Sequence, residues 1–246
     1  MVVFDLGLAP GDVRTLTRRF RTTELQPFDF HASPRHVAHL SWCAWKPIAI
    51  EQVISSRLAP ILWLDAATIV HAPLDAVFSA IARDGVLTLV GQSPVERWCH
   101  PRTLELMRVT VEDRRKRCRI GGVVGFDGSN PTMRDLVTAW RDAALDPELL
   151  NPPGASRATH RWDQALLTNL LYAFERERGL VLRDEEADIS SIRPVRWIST
   201  RNKVPNWVPV TADPLVRGLY TLYKSVDRAV LRLRAAAPAA MPSRGL

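Results

Sequence analysis

"APILWLDAATIV", residues 59–70, decides the reading of the fold: an apolar run passes through Asp65 and returns at once to apolar sequence. A carboxylate in such a run loses hydration unless a cation, a hydrogen-bond donor or the exposed end of a strand compensates it. The continuous apolar character predicts a strand buried on both faces of a parallel sheet. Asp65 stands where that strand gives way to a polar turn, so its carboxylate is expected to point into the crevice beyond the sheet.

Outward from this run, strand-like and helix-like segments alternate. Upstream, "VVFDLGL" (2–8) reads as a strand, "APGD" as a turn, and a helix is predicted from about Asp12. A second short strand is predicted over 24–28. Beyond it, Ile48, Val53, Ile54 and Leu58 recur at helical spacing after Pro47, which marks a helix start.

Downstream, "APLDAVFSAIARDG" (72–85) predicts a helix stopped by Gly85, "VLTLVGQ" (86–92) a buried strand and "IGGVVGFDGSN" (120–130) a strand with a turn after it. "NPTMRDLVTAWRDAALD" (130–146) predicts a capped helix, "PELLNPPGASRATH" (147–160) a loop, and "RWDQALLTNLLYAFERERG" (161–179) a helix closed by Gly179. This alternation predicts an α/β fold with a largely parallel central sheet flanked by helices.

Composition narrows the function classes. With 246 residues and 46% hydrophobic content the chain can bury a full core, so disorder is not expected. The formal charge of +7 favours an anionic partner: nucleic acid, a phospholipid surface or a phosphorylated small molecule. Cys43, Cys99 and Cys118 form no CxxC pair and leave an odd thiol, which argues against a zinc site or disulfide framework and for a reducing, cytoplasmic setting. "MVVFDLGLAP" lacks the features of a signal peptide, and no run reaches the roughly 18 apolar residues of a membrane span.

Other motifs carry less. His31, His36 and His39 lack a carboxylate or cysteine at ligand spacing and read as polar loop or helix-face residues. The basic run "RRKRCR" (114–119) has no interleaved aromatics and reads as a solvated or phosphate-facing loop, so nucleic acid is not an expected partner. No GxSxG elbow is present.

Four segments in order, "VVFDLGL", "LWLDAAT" (62–68), "GGVVGFD" (121–127) and "WDQALLTN" (162–169), with "WKP" (45–47) between the first two, resemble the GT-A glycosyltransferases. The likeness is to the glycogenin-like type and to the lipopolysaccharide and capsular polysaccharide sugar transferases, and it covers about residues 2–205. It implies a Rossmann-like nucleotide-diphospho-sugar transferase fold over 1–210. The remainder reads as a basic amphipathic helix over 211–237 and a flexible tail over 238–246.

Carried over residue by residue, the resemblance implies that Asp65 binds a divalent metal (Mn²⁺ or Mg²⁺) and the donor diphosphate. Lys46 would be a cation near the phosphates. Gly121 and Gly122 would let the backbone approach the donor sugar, where a side chain would clash. Asp163 and Gln164 would face the sugar or acceptor as the catalytic pair, with His160 and Arg161 on the acceptor rim. Arg201 and Lys203, in "WISTRNKVPNW" (197–207), would contact the diphosphate and take over part of a metal's charge.

Two departures qualify the resemblance. Ala67 stands where the family has its second DxD carboxylate, which removes a hard ligand and puts metal dependence in doubt. The family's first strand, which usually holds the nucleotide base, has no counterpart before "VVFDLGL".

The expected activity is transfer of a sugar from a nucleotide-sugar donor to a hydroxyl of a glycan or lipid-linked acceptor, in surface polysaccharide or glycolipid synthesis. The C-terminal helix would give peripheral contact with the inner face of the membrane. The competing reading is a non-catalytic, GT-A-like binding or scaffold protein at a membrane-associated assembly.

Overall fold

The computed structural model describes residues 1–66, 68–70, 72–184 and 198–199. The chain opens with Val2–Asp5 (β1), Pro10–Arg19 (α1) and Glu24–Pro27 (β2), with β2 parallel to β1. Trp45–Ser56 (α2) then leads to Pro60–Leu64 (β3), Ile69–Val70 (β4), Asp75–Asp84 (α3) and Val86–Pro94 (β5). Three short helices, Val95–Trp98 (α4), Pro101–Leu106 (α5) and Val111–Arg115 (α6), precede the long strand Arg117–Asp127 (β6). Pro131–Leu145 (α7), Pro147–Leu150 (α8) and Trp162–Arg178 (α9) follow, and Ile198–Ser199 (β7) pairs antiparallel with β4.

Local chemistry sets the helix ends. Asn130 caps α7 by accepting from the Thr132 N–H (2.9 Å), and Pro131 needs no partner for its nitrogen in the first turn. Gly85 and Gly179 end α3 and α9 with positive φ, as their positions in the sequence predict.

The fold is mixed α/β, but the expected parallel arrangement of the central sheet is corrected. The sheet that carries Asp65 has the order β3-β6-β5 and is antiparallel throughout; among the described strands the parallel pair is β1-β2. A continuous apolar strand reports cover on both faces, not the direction of its neighbours. That cover is present. Ile61, Trp63, Val124 and Phe126 pack on one side with α2, α7 and α9, while Leu62, Leu64, Val123, Leu87 and Leu89 pack on the other with Val77 and Ile81 of α3. The alternation along each strand is the period-two rule of a pleated sheet.

Smaller expectations also change. The apolar run breaks at Asp65, where the Thr68 N–H donates to the Asp65 carbonyl (2.8 Å) and closes a turn before β4. Residues 147–150, expected as loop, form the single turn α8, capped by Asp146. The basic run is not a solvated loop: its end enters β6. There Arg119 is 3% exposed and donates to the Tyr172 hydroxyl, the Arg183 carbonyl and Asp184. Lys116 pairs with Asp113 and Glu175. The partners Tyr172 and Glu175 come from α9, more than fifty residues on, which no local reading supplies. No helix among the described residues is long and apolar enough to cross a membrane. The helix expected over 211–237, the tail over 238–246, and Ala67, Arg201 and Lys203 lie outside the described residues.

Candidate functional site

The first turn of α2, the end of β3, the middle of β6 and the first turn of α9 meet at one point. Lys46 is 4% exposed, and its ammonium lies 3.2 Å from Asp65 Oδ1 and 3.2 Å from Asp163 Oδ2. It also donates to the Gly121 carbonyl (3.3 Å). The ammonium therefore lies among three protein oxygens, two of them carboxylate oxygens that it meets as ion pairs. The cation that Asp65 needs is supplied by the chain itself, from a residue nineteen positions earlier.

Asp65 is held from two further sides. Its backbone N–H donates to the Gly122 carbonyl (2.9 Å), and Trp63 Nε1–H donates to its Oδ1 (2.9 Å). Trp63 is one sequence reasoning missed. The signal was present, since residues two apart on a strand share a face. Trp45 adds a second indole, with its ring centroid 5.9 Å from that of Trp63.

The two glycines face the two carboxylates. A Cβ at Gly122 would lie 3.0 Å from Asp65 Oδ2, and one at Gly121 would lie 3.4 Å from Gln164 Cβ and 3.5 Å from Asp163 Oδ2. The absence of a side chain lets Asp65 pack on Gly122, and Asp163 with Gln164 on Gly121. A side chain at Gly122 would have to push Asp65 away.

Burial sets the charge balance. It pushes the Lys46 pKa down, but the neighbouring Asp163 and Asp65 carboxylates outweigh it and hold the ammonium well above its ordinary value. For Asp163 burial wins, and its pKa is raised even though Lys46 opposes the shift. The cause is enclosure: Asp163 is 5% exposed. Asp163 Oδ2 has no aligned hydrogen-bond donor among the described residues and relies on the charge of Lys46.

The expected metal does not fit this arrangement well. Asp65 Oδ1 is committed to Trp63 and Lys46, and the ammonium occupies the place between the carboxylates where a divalent ion would bridge them. Among the described residues no group of three His, Cys, Asp or Glu side chains could complete a hard-ion shell. Asp65 Oδ2, beside Gly122, lies outside these contacts.

Of the residues expected at the acceptor rim, Arg161 lies half-buried with its guanidinium 4.0 Å above the Trp98 ring. His160 does not belong to a rim. It is fully enclosed, with Nδ1 accepting from the His100 N–H (3.1 Å) and Nε2 positioned to donate to the Leu150 carbonyl (2.8 Å). Both ring nitrogens are satisfied only in the neutral form, and burial lowers its pKa to about 4. His160 thus braces the chain ahead of α9, where Trp162 adopts a positive φ and ties its Nε1–H to Asn151 Oδ1 (3.0 Å). The polar sequence around His160 concealed this burial.

A neutral histidine with a depressed folded pKa stabilises fully above its unfolded value of 6.5, and that contribution is lost as pH falls toward 4. Acid titration of stability is expected to lose roughly 3 kcal/mol across this window, and His160→Gln should flatten that part of the curve. Urea denaturation at pH 7, 6, 5 and 4 measures it. An unchanged slope in His160→Gln would remove His160 as the cause.

No protein-family model matches the chain, and no curated protein matches it in sequence. Among solved structures it is similar to mouse xyloside xylosyltransferase 1 in its apo form, with a TM-score of 0.41 and 9% identity over 71% of this chain and 68% of that one. A likeness this loose carries no inference about activity.

Proposed function

We propose that the protein is a glycosyltransferase of GT-A type, moving a sugar from a nucleotide-sugar donor to an acceptor hydroxyl. The observation that carries the reading is convergence. Lys46, Asp65, Gly121, Gly122, Asp163 and Gln164, singled out from segments spread over about 120 residues of sequence, meet within hydrogen-bonding or van der Waals reach. Two carboxylates and an amide gathered around two glycines offer acceptors at several angles, which suits a ligand rich in hydroxyl groups.

In this reading the bond from the anomeric carbon to the diphosphate oxygen breaks, a bond to the acceptor oxygen forms, and the nucleoside diphosphate departs. Asp65 Oδ2 faces the ligand, while Lys46 is a positioning residue that keeps both carboxylates at fixed separation. Asp163 is the candidate for receiving the acceptor proton, since burial makes its carboxylate a stronger base than an exposed one. Arg201 and Lys203 are proposed as the cations for the departing diphosphate. Any divalent ion would come in with the diphosphate and meet Asp65 Oδ2. The glycogenin-like kinship, a glycan or lipid-linked acceptor, and a role in surface polysaccharide synthesis belong to the same proposal.

A second reading, a binding protein that has kept the shape and lost the chemistry, is favoured by the closure of the centre: Lys46 pairs with both carboxylates and is itself 4% exposed. Thermal shift separates the two, using a panel of nucleotide sugars with and without Mn²⁺ on wild type and Asp65→Asn. The catalytic reading expects one donor to raise the melting temperature of wild type, by about 2.7 kcal/mol of stability at a hundredfold excess over Kd. Asp65→Asn should lose most of that shift, and the stabilising donor should be turned over. Binding without turnover selects the second reading, and no response to any donor removes both.

A further inference from the structure

We infer that the end of the molecule opposite the Lys46 centre is a docking face for an anionic lipid surface. The topology defines that end. The Glu24 N–H donates to the Met1 carbonyl (2.9 Å), the Thr23 N–H to the Phe20 carbonyl (3.0 Å), and Arg57 Nη2 to Glu24 Oε2 (2.7 Å). These bonds gather the end of α1, the end of α2 and the amino ends of β1, β2 and β3. Asp65 and Lys46 lie at the other end, at the close of β3 and the start of α2.

Large apolar side chains stand in water here. Phe20 is 50% exposed and Leu58 is 70% exposed, and α1 buries none of its residues fully. Next to Phe20 in the chain are Arg18, Arg19 and Arg21, all exposed and none in an ion pair with a carboxylate among the described residues. The Arg19 guanidinium lies 5.9 Å from the Phe20 ring centroid. Of the acids at this end, Glu24 is neutralised by Arg57 and Asp84 by Arg83 and Arg183, while Asp127 is tied to the Ser129 N–H and hydroxyl. Asp12 is in the first turn of α1, at the opposite end of that helix.

Charge complementarity selects the occupant. Arginines beside an exposed phenylalanine and leucine match the interfacial layer of an anionic leaflet, where guanidinium groups meet phosphates and apolar side chains enter the acyl boundary. A second copy of the chain would place like charges against each other. Nucleic acid would gain from the arginines but not from Leu58. With this face on lipid, the Lys46 centre is turned toward the aqueous phase, whatever reaction it performs.

Co-sedimentation of the full chain with phosphatidylcholine vesicles, with and without phosphatidylglycerol, tests the inference at about 0.1 M salt. Binding is expected only with the anionic lipid. Arg18→Gln/Arg19→Gln/Arg21→Gln should weaken it roughly 100-fold, at about fivefold per arginine. Phe20→Ser/Leu58→Ser should weaken it further, while Arg115→Gln/Arg157→Gln/Arg178→Gln, with the same charge change elsewhere, should stay within about twofold once nonlocal charge is allowed for. All these positions are at the surface, and circular dichroism checks that each variant is folded. Failure to bind anionic vesicles overturns the inference. So does equal weakening by the two arginine triples, or tighter binding of the patch to duplex RNA than to vesicles at the same salt.

Discussion

Lys46→Met is expected to destabilise the protein by about 3–5 kcal/mol, because it leaves Asp163 enclosed without the charge that compensates it. Asp65 suffers less, since its side chain keeps 40% exposure and can rehydrate. Lys46→Met/Asp163→Leu removes both enclosed charges, and replacing a buried ion pair by apolar groups is often close to neutral. The double variant should therefore recover at least half of the loss, as read from urea denaturation midpoints at pH 7. If Lys46→Met stays within about 1 kcal/mol of wild type, the three charges are not energetically coupled. The double variant also removes the proposed chemistry, so its stability and its inactivity report separately on fold and site.

Trp140→Ala should cost a similar amount, about 3–5 kcal/mol, for a different reason. Trp140 is fully enclosed in α7, its ring lies 6.4 Å from that of Phe126 in β6, and its Nε1–H donates to the Asp163 carbonyl (2.9 Å). Truncation leaves a cavity between α7, α9 and the sheet, and removes the indole hydrogen bond to the carbonyl of Asp163 in the first turn of α9. Trp140→Phe separates the two effects. It keeps most of the volume and loses only the hydrogen bond, so a loss of about 1–2 kcal/mol is expected. Equal losses in the two variants would mean that the hydrogen bond, not the packing, dominates. Because Trp140 bonds the backbone carbonyl of Asp163 and not its carboxylate, donor binding in Trp140→Phe should weaken less than in Asp65→Asn.

Much of the site was legible because its chemistry leaves local marks. Asp65 interrupts an apolar run, the Gly121–Gly122 pair interrupts a strand, and Asp163 opens a helix with the acidic first turn that the dipole favours. Each mark is visible in a window of a few residues. Trp63 left one too, at two residues from Asp65, but an aromatic on an apolar strand reads as core. His160 misled because burial of a histidine depends on what surrounds it. Its partners, the His100 N–H and the Leu150 carbonyl, are backbone groups brought in by α5 and α8, and backbone groups have no signature in sequence. The basic run misled for the same reason: Arg119 looks solvated until α9 lays Tyr172 and Thr168 beside it.

What the sequence determined by itself was the order of the longer strands and helices, the glycines that stop α3 and α9, and the residues able to carry charge at strand ends. These follow from periods of 2 and 3.6 residues and from turn chemistry, which act over a few bonds. The tertiary structure alone decided that β6 runs antiparallel between β3 and β5. It alone decided that the cation answering Asp65 is Lys46, shared with a second carboxylate about a hundred residues further on. Strand direction and ion pairing are settled by which surfaces bury one another, a property of the whole core that no short stretch of chain contains.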